Sequence, residues 1–172
     1  VVFCNMKKEV AKLVQQLVEA GFSALALHGD LEQRDRDSTL VRFANGSATV
    51  LVATDVAARG LDIESIDVVI NFQLAHDPEA HVHRIGRTGR AGQLGRAFTL
   101  YSSRESHKIA ALEELLRCSV EPESLPPSSL MSQQPAAAAM TTLRIDGGKK
   151  QKLRPGDILG ALTGQHGIAG SD

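Results

Sequence analysis

Tryptophan is absent, and five Phe and one Tyr are the only aromatic residues among 172 positions. That scarcity argues against a surface built to stack unpaired bases. Only two cysteines occur, Cys4 and Cys118. They lie far apart and match no metal-ligand spacing, which excludes a disulfide scaffold and fits a reducing cytoplasmic setting. No apolar run approaches the roughly 20 residues of a membrane helix, and no signal-type segment opens the chain. Charge of one sign is lacking as well: the formal net charge is −1 and the isoelectric point about 6.7. A globally basic nucleic-acid binder is therefore excluded, so any such contact must be local and aimed at the phosphate backbone. What remains is ordinary for a soluble fold, with 42% hydrophobic and 23% charged residues.

Residues 1–118 alternate short aliphatic runs with amphipathic stretches. Expected strands are Val1–Cys4, Ala24–Leu27, Val50–Ala53, Val68–Ile70 and Ala97–Tyr101. Such near-continuous apolar runs suit parallel strands covered on both faces. Val10, Leu13, Val14, Leu17 and Val18 recur at helical spacing between the first two, and Gly21 stops that helix. The second helix is expected to carry Leu40, Val41 and Ala44 on one side, and the third to begin at Asp77-Pro78. A fourth is expected from Ser103 to Leu116, with Ile109, Leu112, Leu115 and Leu116 inward. The fold class is α/β: a doubly wound parallel sheet with helices on both faces.

Composition changes after Cys118. Residues 119–140 carry Pro122, Pro126, Pro127 and Pro135, several serines and the run Ala136–Ala139, and read as an extended linker. From residue 141 a second unit is expected, with a strand over Thr142–Ile145, a basic cluster, and a helix from Pro155 to Leu162. About 32 residues are too few for an independent core. Val1 also falls inside a strand, so both ends read as cut and the chain as a fragment.

Three polar clusters fall at the carboxyl ends of expected strands, where open parallel sheets bind ligands. They are His28–Arg36, Thr54–Ile63 and His81–Arg90. From residue 80 to 104 there is no acidic residue, while Arg84, Arg87, Arg90, Arg96 and Arg104 all occur. That local positive field suits phosphates. If the helix persists, Arg87 and Arg90 face one side, and Gly86 and Gly89 permit close backbone approach. The plain alternative is a solvated arginine-rich turn. Thr54 and Asp55 can also simply cap a short helix, a role compatible with phosphate binding. His76, His81 and His83 do not form a metal set, since no carboxylate or cysteine completes it. Gly147-Gly148-Lys149-Lys150 lacks the spacing of a phosphate loop. With Arg144, Lys152 and Arg154 it reads as an RNA-backbone patch or a solvated loop.

Val1–Asn5, the Gln33/Arg36 pair, Ala53–Asp62 and His83–Arg90, in this order, resemble motifs IV, QxxR, V and VI of DEAD-box RNA helicases. The tail Thr142–Asp172, with its stretch Lys152–Gly164, resembles the start of the RRM-like α+β RNA-binding domain of the DbpA type. The resemblance implies domains at 1–118 (a second RecA-like lobe) and 141–172 (the N-terminal part of that RNA-binding domain), joined by the linker 119–140. It implies that Arg87 and Arg90 reach the γ-phosphate of ATP, with His83 beside them in the catalytic group. It assigns Gly60, Asp62 and Arg84 to nucleotide binding, Asp62 through the ribose hydroxyl, with His83 and Arg84 coupling the two lobes. Gly29, Gln33, Arg36 and Thr54 are assigned to RNA. Met6 stands where the family often has Thr, which leaves Lys7 as the RNA candidate of motif IV. ATP with Mg²⁺ is the implied cofactor, its metal ligands lying in the N-terminal lobe.

The implied partners are RNA, by backbone contacts and through rRNA recognition by the tail, and that N-terminal lobe, in a cytoplasmic monomer without membrane contact. The implied activity is ATP-driven RNA unwinding, targeted to 23S rRNA in large-subunit assembly, with this piece inactive alone. A related DNA helicase lobe and a non-catalytic RNA-binding adaptor are the alternatives.

Overall fold

The computed structural model describes residues 1–59, 66–89, 92, 94–164 and 167, leaving aside the side chain of Met131. Within them the chain forms two compact units, Val1–Thr142 and Leu143–Asp172.

The first unit is built on five parallel strands: β1 (Val2–Cys4), β2 (Ala24–Leu27), β3 (Val50–Thr54), β4 (Val68–Asn71) and β5 (Arg96–Thr99), in the order β2-β3-β1-β4-β5. Strand periodicity divides the core into two layers. Phe3, Leu27, Leu51, Ala53 and Val69 turn to one face, with Leu31, Leu40 and Phe43 packed over them. Val2, Cys4 and Val52 turn to the other, under Val10, Leu13, Val14 and Leu17. The second cover is α1 (Lys7–Glu19), and the first draws on α2 (Gln33–Ala44). The short α3 (Asp55–Ala58) follows β3, α4 (Pro78–Ile85) follows β4, and α5 (Ser106–Leu116) follows β5 behind a 3₁₀ turn at Ser103–Glu105. Asp77 starts α4 as expected, its Oδ1 accepting from the Ala80 N–H at 2.7 Å.

Four sequence expectations require correction. On α2 the inward line is Arg36–Leu40–Phe43; Val41 is 56% exposed and Ala44 is exposed. Spacings of four and three residues keep those three on one stripe; Val41 lies about 100° round from Leu40, and Ala44, the last residue of α2, sits at the exposed edge of the stripe. On α5, Leu112 is buried, whereas Leu115 lies at the edge of the stripe and is 48% exposed. Thr142–Ile145 form no strand: no neighbouring strand among the described residues pairs with them, and a lone strand leaves its ladder unmade. The stretch 119–140 does not run free of the lobe throughout, because Pro135 and Met140 lie against it.

The second unit holds a 3₁₀ turn at Lys149–Gln151 and α6 (Pro155–Thr163). Proline at its first position and Asp157 Oδ2, which accepts from the Arg154 N–H at 2.9 Å, set the start of α6. The basic residues Lys149, Lys150, Lys152 and Arg154 are all exposed. No described helix is long and apolar enough to cross a membrane.

His81 of α4 is 6% exposed and its Nδ1 has no hydrogen-bond partner. It borders a cavity of about 310 Å³ lined by Leu74, Pro78, Leu112 and the titratable or charged His76, Asp77, His107 and Lys108. Burial, and then the nearby Arg84 charge, push its imidazole below the ordinary range. The unfolded chain therefore takes up this proton near pH 6.5, before the folded chain does, and stability falls as pH drops below that value. Denaturant midpoints measured from pH 7 to pH 5 should fall less steeply in His81→Phe than in the unaltered chain. Equal slopes would show that His81 does not titrate differently on folding.

Candidate functional site

The site begins at a buried arginine. Arg84 on α4 is 1% exposed, and all five of its N–H groups are used within the protein. Nε donates to Asp55 Oδ1 at 2.6 Å, and Nη2 to Asp55 Oδ2 and Asn5 Oδ1, both at 2.7 Å. Nη1 donates to the Gln73 carbonyl at 2.8 Å and, at 3.5 Å, to Asn71 Oδ1. The guanidinium carbon lies 5.4 Å from the centre of the Phe3 ring. Asp55 follows β3, Asn5 follows β1, Asn71 ends β4 and Gln73 lies two residues beyond it, so one side chain ties together the carboxyl ends of three neighbouring strands. The network continues outward: Gln73 Oε1 accepts from the Asn5 N–H, and Gln73 Nε2 donates to Glu9 Oε1 on α1 at 2.7 Å.

This corrects the assignment of Arg84 as a nucleotide ligand, since its donors are spent on protein acceptors. Asn5 and Gln73 are residues that sequence reasoning left without a role, and Asp55 was read only as a helix cap. Their signal was available only as a polar residue just beyond each of three apolar runs.

Above this junction lies a small cleft of about 60 Å³, bordered by Asp55, Ala58 and Arg59 on one side and Ala80, His83 and Arg87 on the other. His83 and Arg59 are exposed and Arg87 is half-buried. Arg59 joins this basic rim although it was singled out only as part of a larger cluster. The helix does not persist to Arg87: α4 ends at Ile85 with Gly86 as its cap, and Gly89 has φ +68°. Arg87 is placed instead by a pinned turn. Its N–H donates to the Arg84 carbonyl at 3.1 Å, and the Thr88 hydroxyl donates to the carbonyls of Ile66 and Asp67. Gly95 closes the arrangement, because a Cβ there would collide with Thr88 and the Gly89 backbone. Arg90, Gly60 and Asp62 lie outside the described residues.

The RNA candidates gather at the neighbouring strand ends. Gly29 sits in the turn after β2 with open space around the position of a Cβ, so nothing among the described residues requires glycine there. Arg36, on the inward stripe of α2, donates from Nη2 to the Ala57 carbonyl at 3.2 Å and so leans over α3. Thr54 precedes α3 but makes no capping bond with its side chain. Lys7 pairs with Asp30 at 2.7 Å, next to Gly29, and this contact holds the Asp30 carboxyl below its usual range. Gln33 differs from the other four: its side chain donates to Asp37 at 2.7 Å within the same helix. Among the described residues no cluster of metal-ligating side chains occurs.

Removing the Arg84 guanidinium leaves Asp55, Asn5 and the Gln73 carbonyl without their donor. Arg84→Met is expected to cost about 3–5 kcal/mol, the scale of breaking a buried ion pair from one side. The check is a lower denaturant midpoint at unchanged m-value; a loss under about 1 kcal/mol would remove Arg84 from its structural role.

Comparison with known proteins agrees with this geometry. The helicase conserved C-terminal domain matches residues 1–92, and the DbpA RNA binding domain matches residues 142–172. The ATP-dependent RNA helicase DbpA of Escherichia coli is 57% identical over the whole chain, which spans 37% of that protein. A DEAD box protein from the hyperthermophile Methanococcus jannaschii superposes on 69% of the chain at 40% identity with a TM-score of 0.65, over 32% of its own length. E. coli SrmB, in a complex with the regulator RraA, superposes on 81% of the chain and 80% of its own at 31% identity, with a TM-score of 0.69. The chain thus belongs to the helicase conserved C-terminal domain family, as the C-terminal RecA-like lobe of a DEAD-box RNA helicase of the DbpA type.

Proposed function

We propose that this lobe works as half of an ATP-driven RNA-unwinding engine, presenting one set of side chains to nucleotide and another to RNA. The observation that carries this reading is Arg87 on a pinned turn, at the same carboxyl pole of the sheet as Gly29, Arg36 and Thr54. In the parent, ATP with Mg²⁺ is held mainly by the N-terminal lobe. Arg87, with His83 and Arg59 beside it, supplies positive charge where the transferring phosphoryl group becomes more negative. Arg90, Gly60 and Asp62 are assigned to the same nucleotide face on the strength of the motifs.

RNA is gripped by its phosphates, and this grip needs no aromatic platform. Gly29 lets the backbone come close and offers its N–H, while Arg36 and the Thr54 hydroxyl offer a charge and a donor. Lys7, already engaged by Asp30, and Gln33, engaged by Asp37, are lesser contributors. The match to an RNA binding domain at residues 142–172 supports RNA targeting by the C-terminal unit, and we assign that target to 23S rRNA during large-subunit assembly on the resemblance of the tail. We place the parent in the cytoplasm, as a monomer.

In the two-lobe parent, Arg87→Ala should lower RNA-stimulated ATP turnover by about 10³-fold, and Arg87→Lys should recover little, because an ammonium does not reproduce the guanidinium fork. RNA affinity without nucleotide should be unchanged. Gly29→Ala and Arg36→Ala should do the reverse, weakening RNA binding, with Arg36→Ala reducing the salt dependence by about one phosphate contact. Loss of RNA affinity with retained turnover in Arg87→Ala would reassign Arg87 to RNA. Stronger stimulation by DNA than by RNA would favour a DNA helicase. The 172-residue chain alone should show no measurable ATP hydrolysis.

A further inference from the structure

The lobe carries a second surface, at the pole opposite the candidate site. The turn between α1 and β2 and the turn between α2 and β3 both lie at the amino ends of the strands. They are joined there by the Ser23 carbonyl, which accepts from the N–H groups of Thr49 and Val50 at 2.9 and 3.0 Å. Residues 135–142 cross these two turns. The Pro135 ring rests about 3.6 Å from the Cβ position of Gly21, whose φ of +89° shapes the first turn. Met140 reaches the second turn, with its Cγ 3.9 Å from the Cβ position of Gly46 and its N–H 3.4 Å from the Gly46 carbonyl.

The crossing ends on a three-residue hydroxyl–amide cluster. Thr142 Oγ1 lies 2.8 Å from Asn45 Nδ2, which donates to it, and 2.8 Å from the hydroxyl of Ser47. Asn45 is fixed from its other end, since its Oδ1 accepts from the Ser47 N–H at 3.0 Å. Ser47 is only 9% exposed, so its hydroxyl needs a partner, and Thr142 supplies one. The contact joins residues 95 and 97 positions apart and is therefore tertiary.

Thr142 is the last residue of the first compact unit and the first residue matched by the RNA-binding domain. We propose that residues 135–142 are a docked strap, and that the Asn45–Ser47–Thr142 cluster is the fastening that fixes the point from which the RNA-binding unit leaves the lobe. Were the chain from Arg117 to Thr142 a flexible tether, its end would wander over a root-mean-square distance of about 28 Å. Fastened at Thr142, the attachment point does not wander at all. The local concentration of any RNA held by the C-terminal unit is then set by an attachment fixed at Thr142 and not by the reach of the whole linker. This second step rests on the RNA-helicase reading above; the docking itself does not.

The test has two arms. In the 172-residue chain, backbone ¹⁵N relaxation should give residues 138–142 order parameters close to those of the lobe, about 0.85. Thr142→Val, which keeps shape and removes the hydroxyl, should lower them below about 0.6. Ser47→Ala should give a similar drop, with the double variant adding little, as partners in one contact do. Low order parameters in the unaltered chain, or no change in either variant, would overturn the strap.

In the two-lobe parent, Thr142→Val should raise the RNA concentration for half-maximal turnover about 3-fold or more. The effect should appear only with RNA that also engages residues 143–172, and turnover at saturating RNA should be unchanged. An equal shift with RNA that touches the lobe alone would overturn the tethering role. Absence of RNA-stimulated turnover in the unaltered parent would count against the helicase reading and leave the relaxation result standing.

Discussion

Everything at the carboxyl pole of this lobe depends on one guanidinium that never meets solvent. Burying a charge is costly unless every hydrogen-bonding direction is answered, and Arg84 has five answers drawn from three strand ends. The planar fork matters here, because Asp55 is gripped by two parallel bonds that an ammonium does not reproduce. Once Arg84 is placed, α4 is oriented against α3. Arg87 then follows three residues later on a turn whose own bonds leave it little freedom. The fixed part of this pole is thus an internal ion pair, and the candidate residues are set around its rim.

The same junction lies between the two candidate faces. Asp55, which holds Arg84, directly follows Thr54 on the RNA side, and Ala57 of the same short helix receives the Arg36 guanidinium. Arg87 and His83 flank Arg84 on the nucleotide side. Any change in how α3 sits is therefore felt by both faces through a single packed contact. Under the proposed function, phosphate gripping and phosphate chemistry would share this element, although each would be assembled from separate side chains.

Much of this was legible in the sequence. Apolar runs gave the strands, because parallel strands covered on both faces leave no polar alternation to misread. Asp77-Pro78 marked the start of α4 with a capping side chain and a fixed φ. The basic stretch beyond it was visible as an absence of acidic residues. Three things were not legible. The role of Arg84 looked like ligand binding because its type and motif suit phosphate, and only burial reveals that its donors are already spent. The inward faces of α2 and α5 were misjudged by one position, since Val41 and Leu115 are apolar yet lie at the edge of a stripe whose angle depends on tertiary packing. The docking of residues 135–142 had no local signature at all: proline, alanine and threonine read as linker until Ser47 is seen to be buried with its hydroxyl facing Thr142.

The turn that carries Arg87 is pinned to the sheet at its weakest place. Thr88 bonds to carbonyls at the entry to β4, and Gly95 seals it from the start of β5, an edge strand whose residues are largely exposed. Edge strands with little buried apolar surface open at lower free energy than the centre of a sheet. On warming, the alignment of this arginine therefore loosens while the Arg84 junction and the two core layers are still closed. The lobe thus has a thermal order of failure in which the turn that carries Arg87 loosens before the two core layers open.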